Sequence, residues 1–507
     1  MPKDKKSQAD KLVELVNENQ SKIELFHNEL KQSFAYLDIN GHGEIWPCDG
    51  KRFKDWLSYL FYKSEKKIPH SNSITNALAV IRGAALNEGK EYKLGNRIAK
   101  QNDSIWYDLS NDHWEAIRID KNGWQIAKPP ILIQRFSHQQ SQSTPTSGGN
   151  VHDLLSLINI KEEHKLLLLV YIVSCFIPDF PHPILVIHGP QGSAKSTLSK
   201  MIKRLVDPSA LETCDFPATK AELAQILFHH YYIVFDNLSN ISESNSDILC
   251  RAVTGGGFSK RELYTNDDDF IYTFKRLVNL NGINPVATKP DLLERSILLE
   301  LERIPDEARQ KESDVLTTFE EKIPLLLGAI FDAVSKATSI KETLNLPILP
   351  RMADFAEWGC AIAVALGYSQ SDFLSAYSAS IQSQNDQVIS DSSICSTLLK
   401  LMESQTKWEG TPTQLLSELT EKASDLQINI KEPSWPKSAA LLSRKLNNFK
   451  TNLEAGGIKI KHAWKDKQRI ISISNHSIPP ESNSGNGIAT NNDGNDRNDD
   501  FLTSLNL

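Results

Sequence analysis

No two cysteines in this chain stand close enough in sequence to clasp anything between them. The six (Cys48, Cys175, Cys214, Cys250, Cys360, Cys395) lie far apart and make no C-x-x-C pair. That spacing argues against a zinc ribbon or a disulfide scaffold, and it fits a reducing, cytoplasmic compartment. The N-terminal MPKDKKSQADKLVE lacks the apolar core of a signal peptide. Long hydrophobic runs are missing as well. The most membrane-like one, residues 166–177, has twelve residues, short of the ~18 that a spanning helix needs. It reads as a buried helix, and no membrane partner is expected. Nor does the whole chain carry excess positive charge, its formal net being −7. The distribution matters more than the sum. Residues 431–470 hold ten Lys/Arg against three acids, a net of +7, and residues 476–507 hold five acids against one Arg, a net of −4. A basic domain followed by an acidic tail leaves nucleic acid open as a partner.

At 507 residues, roughly three domains are expected from length alone. An apolar content of 40% with 23% charged residues is that of a soluble globular protein. Residues 9–35 carry Leu12, Leu15, Val16, Ile23, Phe26 and Leu30 at helical spacing, predicting one amphipathic helix packed on its own domain or docked on a partner. Residues 53–62 and 73–87 also read as helices. Alternating segments at 105–109, 114–119 and 124–126 predict a small β-meander. The run SHQQSQSTPTSGGN, residues 137–150, reads as a linker. From residue 184 to about 301, strands and helices alternate, which implies a parallel sheet flanked by helices. The division is then an N-terminal α+β accessory domain (1–136), the linker, an α/β core (151–345), a helical region (346–387) and a compact basic unit (388–474). Residues 475–507, rich in Asn, Ser, Gly and Asp, read as a disordered acidic tail.

The chemistry is concentrated in the core. Pro183-Ile-Leu-Val-Ile-His188 reads as a buried strand, and Gly189, Pro190, Gln191, Gly192, Ser193, Ala194, Lys195, Ser196 and Thr197 follow it directly, before a helix. Strand, glycine-bearing loop and helix in that order make a Walker A phosphate loop. Gly189 and Gly192 let backbone amides curl around phosphate oxygens, and the helix N-terminus adds its dipole. Lys195 is expected to reach the β/γ-phosphates of ATP and Ser196 to ligate Mg2+. Ala194 stands where G-x-x-x-x-G-K-[ST] has glycine; as a small residue entering a helix it is expected to be tolerated. The next apolar strand, Tyr231-Tyr-Ile-Val-Phe235, ends in Asp236, a Walker B acid completing the magnesium shell. Many ATPases follow that acid with Glu, whereas Asn237 follows here. An amide orients water without taking its proton, and Glu243 or Asp247 are candidates for the missing carboxylate. Phosphoryl transfer depends mostly on positioning and charge, so hydrolysis is expected to survive. Asn281, at the tip of the strand Arg276-Leu-Val-Asn-Leu280, is a candidate sensor amide, or simply a turn-forming Asn-Gly. Arg295 in Asp291-Leu-Leu-Glu-Arg-Ser296 is either an arginine finger for a neighbouring subunit or one half of a surface ion pair with Asp291 or Glu294.

With GPQGSAKST, VFDN, LCRAVTGGGFSKRELY, RLVNLNG and DLLERS in this order, the chain resembles the superfamily 3 helicases of the AAA+ class, of the phage and mobile-element primase–helicase type. The resemblance covers most of the chain. It implies an α/β P-loop AAA+ ATPase core, ATP and Mg2+ as ligands, and a homo-oligomeric ring, a hexamer being one option. It also implies that Thr254 to Gly257 lead into a pore hairpin whose Lys260 and Arg261 touch single-stranded DNA; a surface turn is the plainer alternative. Arg351, at a helix start after Pro350, is a candidate second nucleotide sensor. The primase half of such proteins needs clustered carboxylates for two metals. Asp38 in YLDING and Asp108 in WYDLS stand alone, and Asp-Ile-Asn-Gly reads as a turn. Trp106, Tyr107, Trp114 and Trp124 either stack bases or fill a small β core. Residues 1–136 are therefore read as an accessory domain, not a primase.

In the basic unit, Thr411-Pro412 is an N-cap and first-turn proline. A helix over 438–455 and a hairpin of 458–464 with 468–473 complete a winged-helix pattern. Arg444, Lys445 and Lys450 on that helix suit a major groove, and Lys459, Lys461, Lys465, Lys467 and Arg469 on the wing suit phosphates of duplex DNA. A winged helix used for protein contact is the alternative. The reading is an ATP-dependent DNA helicase or translocase for replication of a phage-like or mobile element, its acidic tail a docking segment for a replication partner. An ATP-binding switch or a remodeller of DNA-bound proteins is the alternative.

Overall fold

The computed structural model describes residues 6–19, 21–130, 133–256, 258–261, 269–272, 275–284, 289–432, 434–465 and 468–476. They group into two compact units, Met1–Ser392 and Ser393–Leu507.

The first unit opens with the helix Gln8–Glu18, started by a capping box between Ser7 and Asp10. The single helix expected over 9–35 ends here. Ile23 and Phe26 continue its spacing but lie in the strand Ile23–His27, paired antiparallel with Ser33–Ile39 (Ile23↔Leu37, Phe26↔Phe34). Cross-strand partners outweigh a helical repeat that only six apolar residues support. The next hairpin turns at Asn40 (φ 55°) and Gly41 (φ 84°) and pairs Ile39 with His42. Two successive left-handed residues are what a type I′ two-residue hairpin turn demands. His42 lies 3.0 Å from the Glu44 carboxylate. The helices Lys51–Glu65 and Ser71–Asn87 close this part over Leu12, Phe53, Leu57, Phe61 and Ile81.

A four-stranded antiparallel meander follows: Ile98–Gln101, Ser104–Asp108, Ala116–Asp120 and Gly123–Ala127. Its aromatics pack rather than wait for bases. Tyr107 is fully buried and donates to the Val206 carbonyl at 3.1 Å, Trp124 donates to Asp332 at 3.0 Å, and the Arg135 guanidinium covers Trp114 at 3.8 Å. Asp108 is a buried partner of Arg135 (2.7 Å). Ile105, Tyr107 and Ile117 share one continuous core with Leu185, Leu205 and Phe331 of the α/β core, so the meander packs as part of that core. Residues 137–150 are correspondingly a packed strap, not a tether. The buried Gln142 amide donates to the Leu205 carbonyl at 2.8 Å, and the Thr146 amide to the Pro324 carbonyl at 2.8 Å. A Cβ on Gly149 would stand 2.2 Å from the Leu325 carbonyl oxygen. Small residues serve close backbone approach here, which composition alone reads as flexibility.

Four parallel strands form the central sheet in the order Tyr232–Leu238, Leu277–Gly282, Ile184–His188, Ser296–Glu300. The apolar run expected as a buried helix is the helix Glu162–Ser174, buried from Leu167 onward. Glu312–Lys341, 30 residues, is long and apolar enough to cross a membrane, but here it is a core helix burying Phe319, Leu327, Ile330 and Phe331.

A buried ionic knot ties the meander to this sheet. Arg97, left-handed at φ 67° and fully buried, donates to Asp207 at 2.9 Å; Lys203 donates to the other carboxylate oxygen at 2.8 Å and to the Tyr232 carbonyl at 2.6 Å. Burial alone would raise the Asp207 carboxyl, but Lys203 and Arg97 reverse that and hold it below the ordinary range. A depressed carboxylate contributes stability that is complete at neutral pH and lost as pH falls below the usual carboxylate range. Asp207→Asn leaves two buried cations unpaired. It is expected to cost about 3–5 kcal/mol, read as a lowered urea midpoint at pH 7, with the difference from the parent shrinking in acid.

In the second unit the order is Ser393–Met402 (helix), Lys407–Gly410 (strand), Pro412–Asp425, Ala439–Asn448 and Lys450–Ala455 (helices), then the hairpin Ile458–Lys465 with Gln468–Asn475. Thr411 caps its helix through Gln414 with Pro412 in the first turn, as expected. The helix expected over 438–455 is two, interrupted at Phe449. Trp408 and Ile473 pair where the short strand extends the hairpin into a three-stranded sheet.

Candidate nucleotide site

Burial fixes the base of the site. Ile184 to Ile187 are fully buried, and the loop leaves the sheet at its C-terminal end, where open parallel sheets bind ligands. Gly189 has φ 146°, and a Cβ there would meet the Leu301 carbonyl oxygen at 2.4 Å. Gly192 has φ 77°. Ala194 corrects an expectation: it precedes the helix Lys195–Val206 as a left-handed N-cap, φ 61° and ψ 31°. The pattern's glycine is thus a matter of backbone handedness, and alanine bears a strain of about 1–2 kcal/mol. Ser193 is buried, its hydroxyl donating to the Pro190 carbonyl at 2.9 Å. Pro190 and Gln191 are exposed.

Lys195 folds back over the loop, donating to the carbonyls of Gly189 (2.9 Å) and Pro190 (2.8 Å). Partial burial pushes its pKa below the lysine range, opposed by the Asp236 charge. Ser196 donates to Asp236 at 2.9 Å, so the two expected magnesium ligands meet. Thr197, the next residue, lies 3.3 Å from Glu312. Two positive-φ glycines, one cation and an adjoining hydroxyl–carboxylate pair suit a polyphosphate with a divalent ion.

Asn281 is buried on the strand between the two motif strands. Its oxygen accepts from the Asn237 amide at 2.9 Å and its amide donates to Ser199 at 3.2 Å. Asn237 is itself left-handed, φ 54°. Asn279 donates to the Tyr232 hydroxyl at 3.0 Å, away from this group. Of the candidate carboxylates, Glu243 begins the helix Glu243–Thr254, and Asp247 is paired with Lys289.

Arg295 lies elsewhere. Its carbonyl accepts from the Ile184 amide at 2.8 Å, at the N-terminal end of the sheet, whereas the loop follows His188. Five residues of strand place it roughly 16 Å from its own loop. There it pairs with Asp291, which also accepts from Arg351 at 2.7 Å. Arg351, whose other partner is Glu294, is therefore not beside the loop 189–197 of its own chain, where a sensor of a nucleotide bound there would stand. A residue missed in the sequence stands there instead. The Nη2 atom of Arg309 is 3.2 Å from the position a Cβ on Gly192 would take. Only an arginine downstream of a strand marked it.

The strand Phe258–Arg261 pairs antiparallel with Asp269–Tyr272, matching Lys260 with Phe270 and Arg261 with Asp269. The side chains of these strands, and Gly257, lie outside the described residues. In the second unit Lys459 and Lys461 are exposed, alternating with buried Ile458 and Ile460, and Arg444 is exposed. Lys445 donates to the Ser434 carbonyl and Lys450 lies 4.0 Å from Glu454. Lys467 and residues 477–507 lie outside the described residues.

Residues 151–387 match the family model of the actinomycete integrative conjugative element replication protein, and residues 394–486 match that of the C-terminal domain of the same protein, RepA. Over these stretches the chain is similar to a mobile-element replication protein. That similarity supports a role in replication. No match was found among curated proteins. Among solved structures, an apo form of the NrS-1 C-terminal region is 10% identical, covering 91% of this chain and 98% of that one with a TM-score of 0.41. A second apo structure of that region is 11% identical over 93% and 100%, with a TM-score of 0.38. A ligand-bound JCV helicase is 14% identical over 43% and 71%, with a TM-score of 0.22. At these scores the likeness is too remote to bear on function.

Proposed function

We propose that this protein is an ATP-driven motor that works on DNA during replication of an integrative mobile element. One observation carries the reading: Lys195, the Ser196–Asp236 pair and Asn281 converge at the C-terminal end of one parallel sheet. ATP would enter with the loop amides around its phosphates, and Lys195 would exchange two carbonyls for β- and γ-oxygens. Ser196 and Asp236 would hold magnesium, which when bound neutralises phosphate charge. Asn281 would keep Asn237 in place at the γ-phosphate, and positioning of this kind is most of what phosphoryl transfer asks of a protein. The strand inserted between the two motif strands supports a superfamily 3, AAA+ assignment. Arg295 would complete a neighbour's site in a homo-oligomeric ring. Lys260 and Arg261 would meet single-stranded DNA. The second unit, read as a winged helix, would use Arg444, Lys459 and Lys461 on duplex phosphates.

Asn237 favours a second reading, an ATP-binding switch without motor activity, because an amide rather than a carboxylate follows Asp236 in the sequence. ATP turnover at low salt with and without single-stranded DNA, beside strand displacement on a forked duplex, separates the two. The motor reading expects DNA-stimulated turnover and displacement. Tight ATP binding with no stimulation would overturn it in favour of the switch.

A further inference from the structure

The segment after the last sheet strand does not leave the nucleotide site. The Leu301 amide donates to the His188 carbonyl at 2.9 Å, Glu302 to Asn159 at 3.2 Å, and Ile304 to Gly192 at 3.2 Å. Eight residues later Glu312 accepts from Lys200 at 3.0 Å and from Thr197 at 3.3 Å, both on the helix that the phosphate loop opens. Residues 301–312 are thus stitched to the loop at one end and to its helix at the other, with Arg309 between. The Arg309 side chain lies across Gly192, with Nη2 3.2 Å and Cζ 3.9 Å from the position a Cβ would take. Glycine at 192 therefore does two things: it allows φ 77°, and it leaves the face on which a guanidinium can rest. Arg309 is about half exposed, and its partner is the Asp306 carboxylate at 2.9 Å. A carboxylate is the protein group nearest in chemistry to a phosphate oxygen pair, and it holds the fork of a guanidinium ready for exchange.

We propose that Arg309 is a second cation of the nucleotide site, placed on Gly192 to fork onto the terminal phosphates of a nucleoside triphosphate and so to distinguish ATP from ADP. The proposal rests on the reading of this loop as an ATP site. Lys195 alone supplies one positive charge from the loop itself, and a triphosphate carries more than one cation can balance, even with a divalent ion. Arginine rather than lysine suits the place, because its planar fork matches two phosphate oxygens at once. On binding, the guanidinium would leave Asp306 for the ligand, and no covalent step is involved.

The test is equilibrium binding of ATP and of ADP, each with magnesium, to the full chain. Arg309→Ala is expected to weaken ATP binding by about 10- to 100-fold and to leave ADP binding nearly unchanged. Arg309→Lys should recover part of the loss. Arg303→Ala, on the same segment and 3.9 Å from the same Asp306, should alter neither affinity. Unfolding midpoints without nucleotide should be equal for all these variants, since Arg309 is half exposed. Unchanged ATP affinity in Arg309→Ala, or equal loss for ATP and ADP, would overturn the role given to Arg309. If Lys195→Ala also binds ATP normally, the fault lies instead with the reading of the loop itself.

Discussion

Lys195→Ala should abolish ATP binding and, with it, all turnover. The loop holds no other cation, and the charge-assisted bonds a lysine makes to β- and γ-phosphate oxygens are worth about 1.5–3 kcal/mol each. Two such bonds lost correspond to a factor of about 10² to 10⁴ in affinity. The fold should survive, because the two carbonyls that Lys195 now satisfies, on Gly189 and Pro190, adjoin an exposed stretch of loop where water can replace it. A fluorescent nucleotide titration and a thermal unfolding curve check both halves. Normal affinity with an unchanged unfolding midpoint would remove the phosphate loop from this protein.

Arg295→Ala is expected to spare ATP binding yet lower turnover by about 10³-fold or more, the effect of losing an arginine finger. The geometry makes the prediction specific. Arg295 is at the wrong end of the sheet for its own nucleotide, so it can serve only one bound by a neighbour. Within the chain it is held by Asp291, which Arg351 shares, so Arg295 can be released without leaving that carboxylate unpaired. Mixing Arg295→Ala with Lys195→Ala should restore some turnover, since interfaces then form with an intact loop on one side and an intact Arg295 on the other. If assembly is normal and the mixture stays inactive, Arg295 is a surface ion-pair residue.

Contiguous features were legible in the sequence for a physical reason. A phosphate loop needs its strand, glycines, lysine and helix in unbroken order, so residues 184–206 announce it, and Asp236 follows from the next buried run. Asn40-Gly41 states its own turn because few residues accept φ > 0, and Thr411-Pro412 states its own helix start. Distant contacts left no such mark. The spacing of Ile23 and Phe26 fits a helix until the strand at Ser33–Ile39 offers them partners. Residues 137–150 have a linker's composition, yet the Leu205 and Pro324 carbonyls turn them into a packed strap. Ala194 reads as a helix residue because handedness is a property of the backbone, not of the side chain. Arg351 and Arg309 exchange places relative to the site for the same reason: Arg351 meets Asp291 from 60 residues away and Arg309 reaches Gly192 from a distant part of the chain, contacts found only once the sheet has been closed. The sequence alone pointed to the chemistry proposed for this chain. Tertiary structure decided which residues stand where that chemistry would occur, because long-range packing and register, rather than local preference, set those distances.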